Sequence, residues 1–392
     1  MTDDLTLIIT PAGGGDATAL SGWTQVRVTR GIERLPSDFQ VTATAPGGPL
    51  DVRAHAGDLA QVLLGGDPVL TGYVDRVIPA FAPGSHTVTI LGRSKCEDLV
   101  DCSAVFETFQ LTSMSLPDLA NRLSADFKIK AKVIDGDIGP KIGTIIVPQV
   151  NVALMETAWE IIERVCRYGG VLAYDDTDGN LILSRVGSTS MASGFAQAQN
   201  VQGAVGLEGM DQRFSKYVGV FASTQTLFEM PPDNFNPLTN NSLGFALDPG
   251  VPRYRPLVLV AEQNDLNFTV LKNRLGWEAA RRYGRSKQIR VVADSWRDSA
   301  GMLWQTNALA PVDVPAAGVS GEVWLITEVS FLRDERGTRA ELVLMPKEAF
   351  SVEPINLNPA SVPLVQAANA AAVGAADGQI VSAPLPPPEA AK

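Results

Sequence analysis

Leu59–Arg93, LAQVLLGGDPVLTGYVDRVIPAFAPGSHTVTILGR, and Leu309–Lys347, LAPVDVPAAGVSGEVWLITEVSFLRDERGTRAELVLMPK, carry one pattern twice. Leu59, Ala60 and Val62 reappear as Leu309, Ala310 and Val312. After one small shift, Val74 and Val77 fall on Ile326 and Val329, and Val88, Ile90 and Leu91 fall on Ala340, Leu342 and Val343. Each copy reads as strand, Gly-containing turn, alternating strand, polar turn, alternating strand. That is the period-2 signature of antiparallel structure with one buried face. One chain is therefore expected to hold two similar β-units. A trimer of such chains presents six similar units around one axis, which lets a threefold object match a sixfold one.

Working outward, 392 residues exceed one ordinary core, so two to four domains are expected. Hydrophobic residues make up 45% and charged ones 19%, with a mean hydropathy of +0.07, as in a folded soluble chain. No apolar run is long enough to span a bilayer, and MTDDLTLIIT lacks the basic start and apolar core of a signal peptide. Cytoplasmic synthesis and residence are the expectation. A net charge of −11 opposes wrapping of nucleic acid, because a phosphate-binding surface needs clustered cations. An acidic wall around a channel would instead let DNA slide.

Three blocks and a tail follow. Residues 1–103 are strand-rich: LTLIIT, WTQVRVTRGIE, DFQVTATA, then the first copy. Residues 104–206 change character to a compact α+β insertion. Leu116, Leu119, Leu123 and Phe127 share one helical face, with Pro117 in the first turn. A second helix is expected from about Val152 to Tyr168, closed by Gly169-Gly170, and then a hairpin turning at DDTDGN. Residues 207–354 return to strands and end in the second copy. They include a Pro- and Asn-rich loop, 228–256, read as an exposed excursion, and a helix, 266–283. Residues 355–392 are Ala- and Pro-rich with almost no charge, expected to order only against a partner if at all. The fold class is mainly β with an α+β insertion: two similar antiparallel β-barrel-like domains plus a smaller α+β domain.

Sites of chemistry are scarce. His55 and His86 are the only histidines, and no G-x-S-x-G, G-x-x-x-x-G-K-[ST] or H-E-x-x-H string occurs. Cys96, Cys102 and Cys166 lack metal-site spacing; Cys96 and Cys102 flank the short helical turn EDLVD and read as small buried hydrophobes. Gly13–Gly15 precedes Asp16 rather than Lys and reads as a β-turn. Asp175, Asp176 and Asp178 before Gly179 miss calcium-loop spacing and read as a hairpin turn. Arg274, Arg281, Arg282, Arg285, Lys287 and Arg290 form a basic cluster read as a solvated or subunit-facing surface. Paired carboxylates carry no linear motif, and nothing in the spacing of the 43 acidic residues favours any glycosidase pair. No catalytic, cofactor or metal residue is assigned.

Gly22–Glu33, Leu70–Val77, Val88–Val105, Gly170–Arg185, Phe214–Phe221 and Arg253–Glu262 carry a resemblance. In order through nearly the whole chain to about Pro354, these segments resemble the Mu-type baseplate hubs of the late control D and VgrG-type superfamily of contractile injection machines. The resemblance implies a homotrimer with tube-type β-barrels in a pseudo-sixfold ring around the tail channel. It also implies binding to the tail tube and other baseplate proteins on one side and to a trimeric membrane-piercing spike on the other. No cofactor, enzymatic activity, sequence-specific nucleic-acid contact or stable membrane association is implied. The place of work is the virion tail baseplate, assembled in the host cytoplasm. A tail-associated cell-wall lysin and a bacterial secretion hub are the alternatives.

Overall fold

The computed structural model describes residues 3–44, 54–105, 110–136, 141–187, 189–221, 242–261 and 268–350. The first block forms β1 (Leu5–Thr10), β2 (Thr18–Leu20), β3 (Gln25–Gly31), β4 (Asp38–Thr44), β5 (Leu59–Leu64), β6 (Asp67–Ala82) and β7 (Ser85–Ser94). Alternation does what period-2 sterics require: Leu5, Leu7 and Ile9 of β1 and Ala60, Val62 and Leu64 of β5 point into one core. Gly65 and Gly66, at φ +59° and +97°, make the two-residue turn between β5 and β6 that a side chain would resist.

The insertion begins at α1 (Glu97–Asp101). It continues through β8 (Gln110–Ser115), α2 (Leu116–Ser124), β9 (Ala131–Ile134), β10 (Ile146–Asn151), α3 (Ala158–Gly169), β11 (Leu172–Asp175) and β12 (Leu181–Ser184). Leu116, Leu119 and Leu123 of α2 are buried against Ile161, Ile162 and Val165 of α3 in the insertion's own core. The expected start of the second helix at Val152 is corrected to Ala158. Thr157 and Glu160 form a reciprocal capping box, which satisfies first-turn N–H groups and fixes the boundary. Gly170, at φ +59°, ends α3 as expected.

β13 (Phe195–Ala196) and β14 (Val201–Glu208) then join the large sheet. The insertion's own sheets are therefore complete at β12, short of the expected limit at 206. Next come β15 (Lys216–Phe221), β16 (Ser242–Leu247) and β17 (Pro256–Ala261), a separate three-stranded sheet ordered β16-β15-β17. The loop expected over 228–256 thus contains a strand, paired antiparallel with β15. The rest of that stretch up to residue 241 lies outside the described residues, as does the whole 355–392 extension. α4 (Phe268–Arg285), two residues beyond the expected helix, lays Leu275 and Ala279 against Tyr217 of β15. β18 (Lys287–Ala293), β19 (Leu309–Val314), β20 (Val319–Asp334) and β21 (Gly337–Met345) complete the chain's second copy.

Thirteen strands form one sheet, ordered β14-β18-β21-β20-β3-β4-β7-β6-β5-β1-β2, with β19 beside β20 and β13 beside β19. Five strands of each copy, β3–β7 and β14 with β18–β21, pair in equivalent order and register. β6 and β7 pair Val77 with Ile90; β20 and β21 pair Val329 with Leu342. β4 lies on β7 with Val41 opposite Ile90, and β18 lies on β21 with Val291 opposite Leu342. β3 lies on β4 with Val26 opposite Val41, and β14 lies on β18 with Ala204 opposite Val291. The copies are not separate bodies, because β3 and β20 pair antiparallel and their apolar faces feed one hydrophobic cluster. Differences lie in the connections. β3 reaches β4 through Ile32–Ser37, whereas the equivalent path from β14 to β18 carries the whole β15–β17 and α4 unit.

Candidate assembly surfaces

The residues singled out for chemistry are occupied structurally. Asp175 is buried and accepts from the Ser37 N–H and hydroxyl at 2.9 and 2.7 Å. Asp176 accepts from the N–H groups of Asp178 and Asn180 and is ion-paired with Lys132. The turn is docked on the first unit: the Thr71 hydroxyl donates to the Thr177 carbonyl at 2.9 Å, and the Cys96 thiol reaches the Gly179 carbonyl at 3.7 Å. Gly179 has no room for a side chain there, since a Cβ would meet the Thr71 carbonyl at 2.4 Å. Asp175 to Gly179 are thus a domain-docking hairpin.

Cys96 and Cys166 are buried, and burial pushes both thiols up. Cys102 departs from expectation: it is exposed, because it follows the last residue of α1 in extended conformation. His55 lies 3.7 Å from Asp58, and His86 meets the Phe81 ring edge-on at 4.7 Å. Among the described residues, no group of three or more His, Cys, Asp or Glu is arranged to hold a metal ion, and no helix is long and apolar enough to cross a membrane. Gly14 closes a turn by donating to the Pro11 carbonyl at 3.0 Å.

Three arginines of the basic cluster are ion-paired within the chain. Arg281 and Arg285 both grip Glu33, which follows β3, and Arg282 lies 3.3 Å from Glu278. Arg281 also covers the Trp277 ring at 4.7 Å. Burial pulls the Arg281 guanidinium below its ordinary range, with Glu33 opposing. These arginines line a cleft of about 290 Å³ together with Leu207, Asp211 and Gln212. With carboxylates interleaved, the cleft lacks the free cations that a phosphate-tracking groove needs.

What the fold leaves bare is sheet edge. From Arg76 the long β6–β7 hairpin rises past β5, and its Ile78 and Phe81 are 47% and 78% exposed. Their counterparts on β20, Ser330 and Arg333, are only partly exposed because β3 lies alongside. β14 is the terminal strand, with Val205 68% and Leu207 56% exposed. Isolated apolar residues at a surface are ordinary. Four of them on two edges that have no strand partner among the described residues mark contact surfaces, since soluble proteins normally blunt such edges. The sequence analysis missed both edges.

A duplicated sheet with an α+β insertion and bare sheet edges has the features of an assembly protein. Three domain models match in chain order: Mu phage baseplate assembly protein GpP-like, N-terminal, over residues 14–94; baseplate hub protein gp44-like, second domain, over 96–185; and Mu phage baseplate assembly protein GpP, fourth domain, over 269–353. The baseplate hub protein gp44 of Escherichia phage Mu is 27% identical over 338 residues, 86% of this chain and 88% of that one. The crystal structure of the prophage MuSo2 43 kDa tail protein from Shewanella oneidensis is also 27% identical; the match covers 89% of this chain and 99% of that one with a TM-score of 0.75. The tail protein from Neisseria meningitidis MC58 shares the fold at 18% identity, with a TM-score of 0.72 over 89% of this chain and 99% of that one. Domain by domain, the chain is similar to Mu-type baseplate hub proteins.

Proposed function

We propose that this hub protein is a homotrimer whose six sheet units form a pseudo-sixfold ring, joining a sixfold tail tube to a trimeric membrane-piercing spike in a contractile tail, and that it catalyses no reaction. The observation that carries this reading is the strand-for-strand repeat, down to equivalent registers in β6–β7 and β20–β21. Six equal units offer a tube the same surface six times. The α+β insertion and the β15–β17 unit occur once per chain, so they repeat three times and suit a threefold spike.

DNA passes through the ring without being bound in this reading, consistent with the net charge of −11 and the internally paired arginines. The hub works in the virion tail baseplate after assembly in the host cytoplasm. A map of the assembled particle tests it: three copies around an open channel are expected, and six copies or one at that level overturn it. Lysis of peptidoglycan by the purified chain in a turbidity assay would favour a cell-wall lysin instead.

A further inference from the structure

The internal repeat also specifies the seam between protomers. Within one chain the two copies meet where β20 lays Ser330 opposite Thr29 and Leu332 opposite Arg27 of β3. The equivalent of β20 is β6, and the equivalent of β3 is β14. Both equivalents have that same side open: among the described residues, Arg76–Phe81 of β6 has only β7 as a strand partner, and Gly203–Glu208 of β14 has only β18. β6 and β14 of one chain do not meet, so one chain cannot complete its own pattern.

We propose that β14 of one protomer pairs antiparallel with the β6 hairpin arm of the next, in the register that β3 and β20 use within the chain. This rests on the trimer reading above and names its contact. Carrying the register across sets Ile78 opposite Leu207, Ala80 opposite Val205 and Phe81 opposite Ala204 of the neighbouring protomer. The face that carries a Thr29–Ser330 hydroxyl contact at 2.9 Å inside the chain becomes an apolar seam between chains. That face takes up Ile78, Val205 and Leu207, while Phe81 lies on the opposite face of the arm, across from Ala204. Gly206 leaves no room for a side chain on its own face, where the Ala317 carbonyl stands 1.9 Å from where a Cβ would be. Pro79, opposite Gly206, has no N–H, so it contributes only its carbonyl to the ladder. The contact is heterologous, β6 to β14 around the ring, and closes only if the rotation closes.

The test uses the full chain with Cys102→Ser, to remove the exposed native thiol, and the pair Ile78→Cys and Leu207→Cys. Directly opposed antiparallel positions lie within disulfide reach. Oxidation of concentrated protein is expected to give covalent dimers and trimers on a non-reducing gel, absent from either single variant and from the out-of-register pair Ile78→Cys and Val205→Cys. Leu207→Asp, at a position exposed in the single chain, is expected to weaken association at least tenfold by sedimentation. A trimer by mass that neither cross-links nor responds to Leu207→Asp overturns this seam and leaves the trimer standing. A chain that stays monomeric at every concentration and within the particle overturns both.

Discussion

Asp75 and Thr327 occupy one position in the two copies: each is the extra residue of a one-residue bulge, between Val74 and Arg76 in β6 and between Ile326 and Glu328 in β20. The backbone deviation has been kept while its chemistry diverged. Asp75 accepts from Arg93 Nε and Nη2 at 2.7 and 3.2 Å, whereas the Thr327 hydroxyl donates to the Val343 carbonyl at 3.0 Å. Bulges bend a strand and re-aim a side chain. Here the re-aimed carboxylate reaches the cluster where the first unit meets α1.

That cluster titrates. Burial first, then the charge of Asp75, pushes the Glu97 carboxyl up to about 8, with Arg93 opposing. A raised pKa means the folded chain holds this proton more tightly than the unfolded one. The stability it confers is complete below the ordinary glutamate range and is lost as pH rises through about 8. Glu97→Gln should therefore match wild type near pH 5 and exceed it by ~1–2 kcal/mol near pH 9 in denaturant titrations. An equal or reversed gap at the higher pH refutes this account.

Arg213 and Asp248 form a two-pronged ion pair, both bonds at 2.8 Å, with the pair almost wholly buried. Removing one partner leaves the other charged and unpaired. Asp248→Asn should destabilise the β15–β17 and α4 unit by about 3–5 kcal/mol. Limited proteolysis should show new cuts there while the large sheet stays resistant; uniform loss of resistance would mean the unit does not unfold separately.

Gly92 sits where β7 crosses Phe39. A Cβ there would lie 2.2 Å from the Tyr73 carbonyl and 2.5 Å from the Phe39 ring. Gly92→Ala should cost about 1–3 kcal/mol by overpacking. The double variant Gly92→Ala with Phe39→Leu should recover part of the ring-contact loss in thermal melts; no recovery would place the clash at the carbonyl.

The channel wall should hold no duplex DNA. In a particle map Arg281, Arg282 and Arg285 are expected to point away from the axis. A gel shift of duplex DNA with the purified hub at physiological salt should show no retention, and strong retention that fades with salt would contradict the acidic-wall reading.

Truncation after Pro354 removes a stretch outside the described residues. The truncated hub is expected to assemble as a trimer but to recover less spike on co-purification. Wild-type recovery would make the extension dispensable for that contact.

Much of the large sheet was legible because its apolar residues alternate toward one core, as Leu59, Ala60 and Val62 against Leu309, Ala310 and Val312 illustrate. β14 was not, because its large apolar residues, Val205 and Leu207, face outward while Gly206 faces the chain's own Ala317 turn. A pattern read for burial assigns such a strand to the wrong neighbour. β16 was hidden among Pro and Asn, and only its pairing with β15 reveals it. The absence of a catalytic motif was readable, but the occupation of Asp175 by Ser37 was not, since 138 positions separate them. The Arg281–Glu33 and Arg285–Glu33 pairs are long-range in the same sense.

The pairing of β3 with β20 also sets a timetable. Thr29 and Ser330, which touch across it, are 301 positions apart. At ribosomal rates of 5–20 residues per second, β3 therefore waits roughly 15–60 s for the strand that covers its edge. During that interval the nascent chain exposes a ready template for any strand of the right shape, and the β6 arm of another unfinished chain, the counterpart of β20, is such a strand. On a crowded polysome, premature pairing between unfinished chains competes with completion of each one. Slowing translation after residue 221 should then lower the yield of soluble hub, and a chaperone that shields strand edges should restore it.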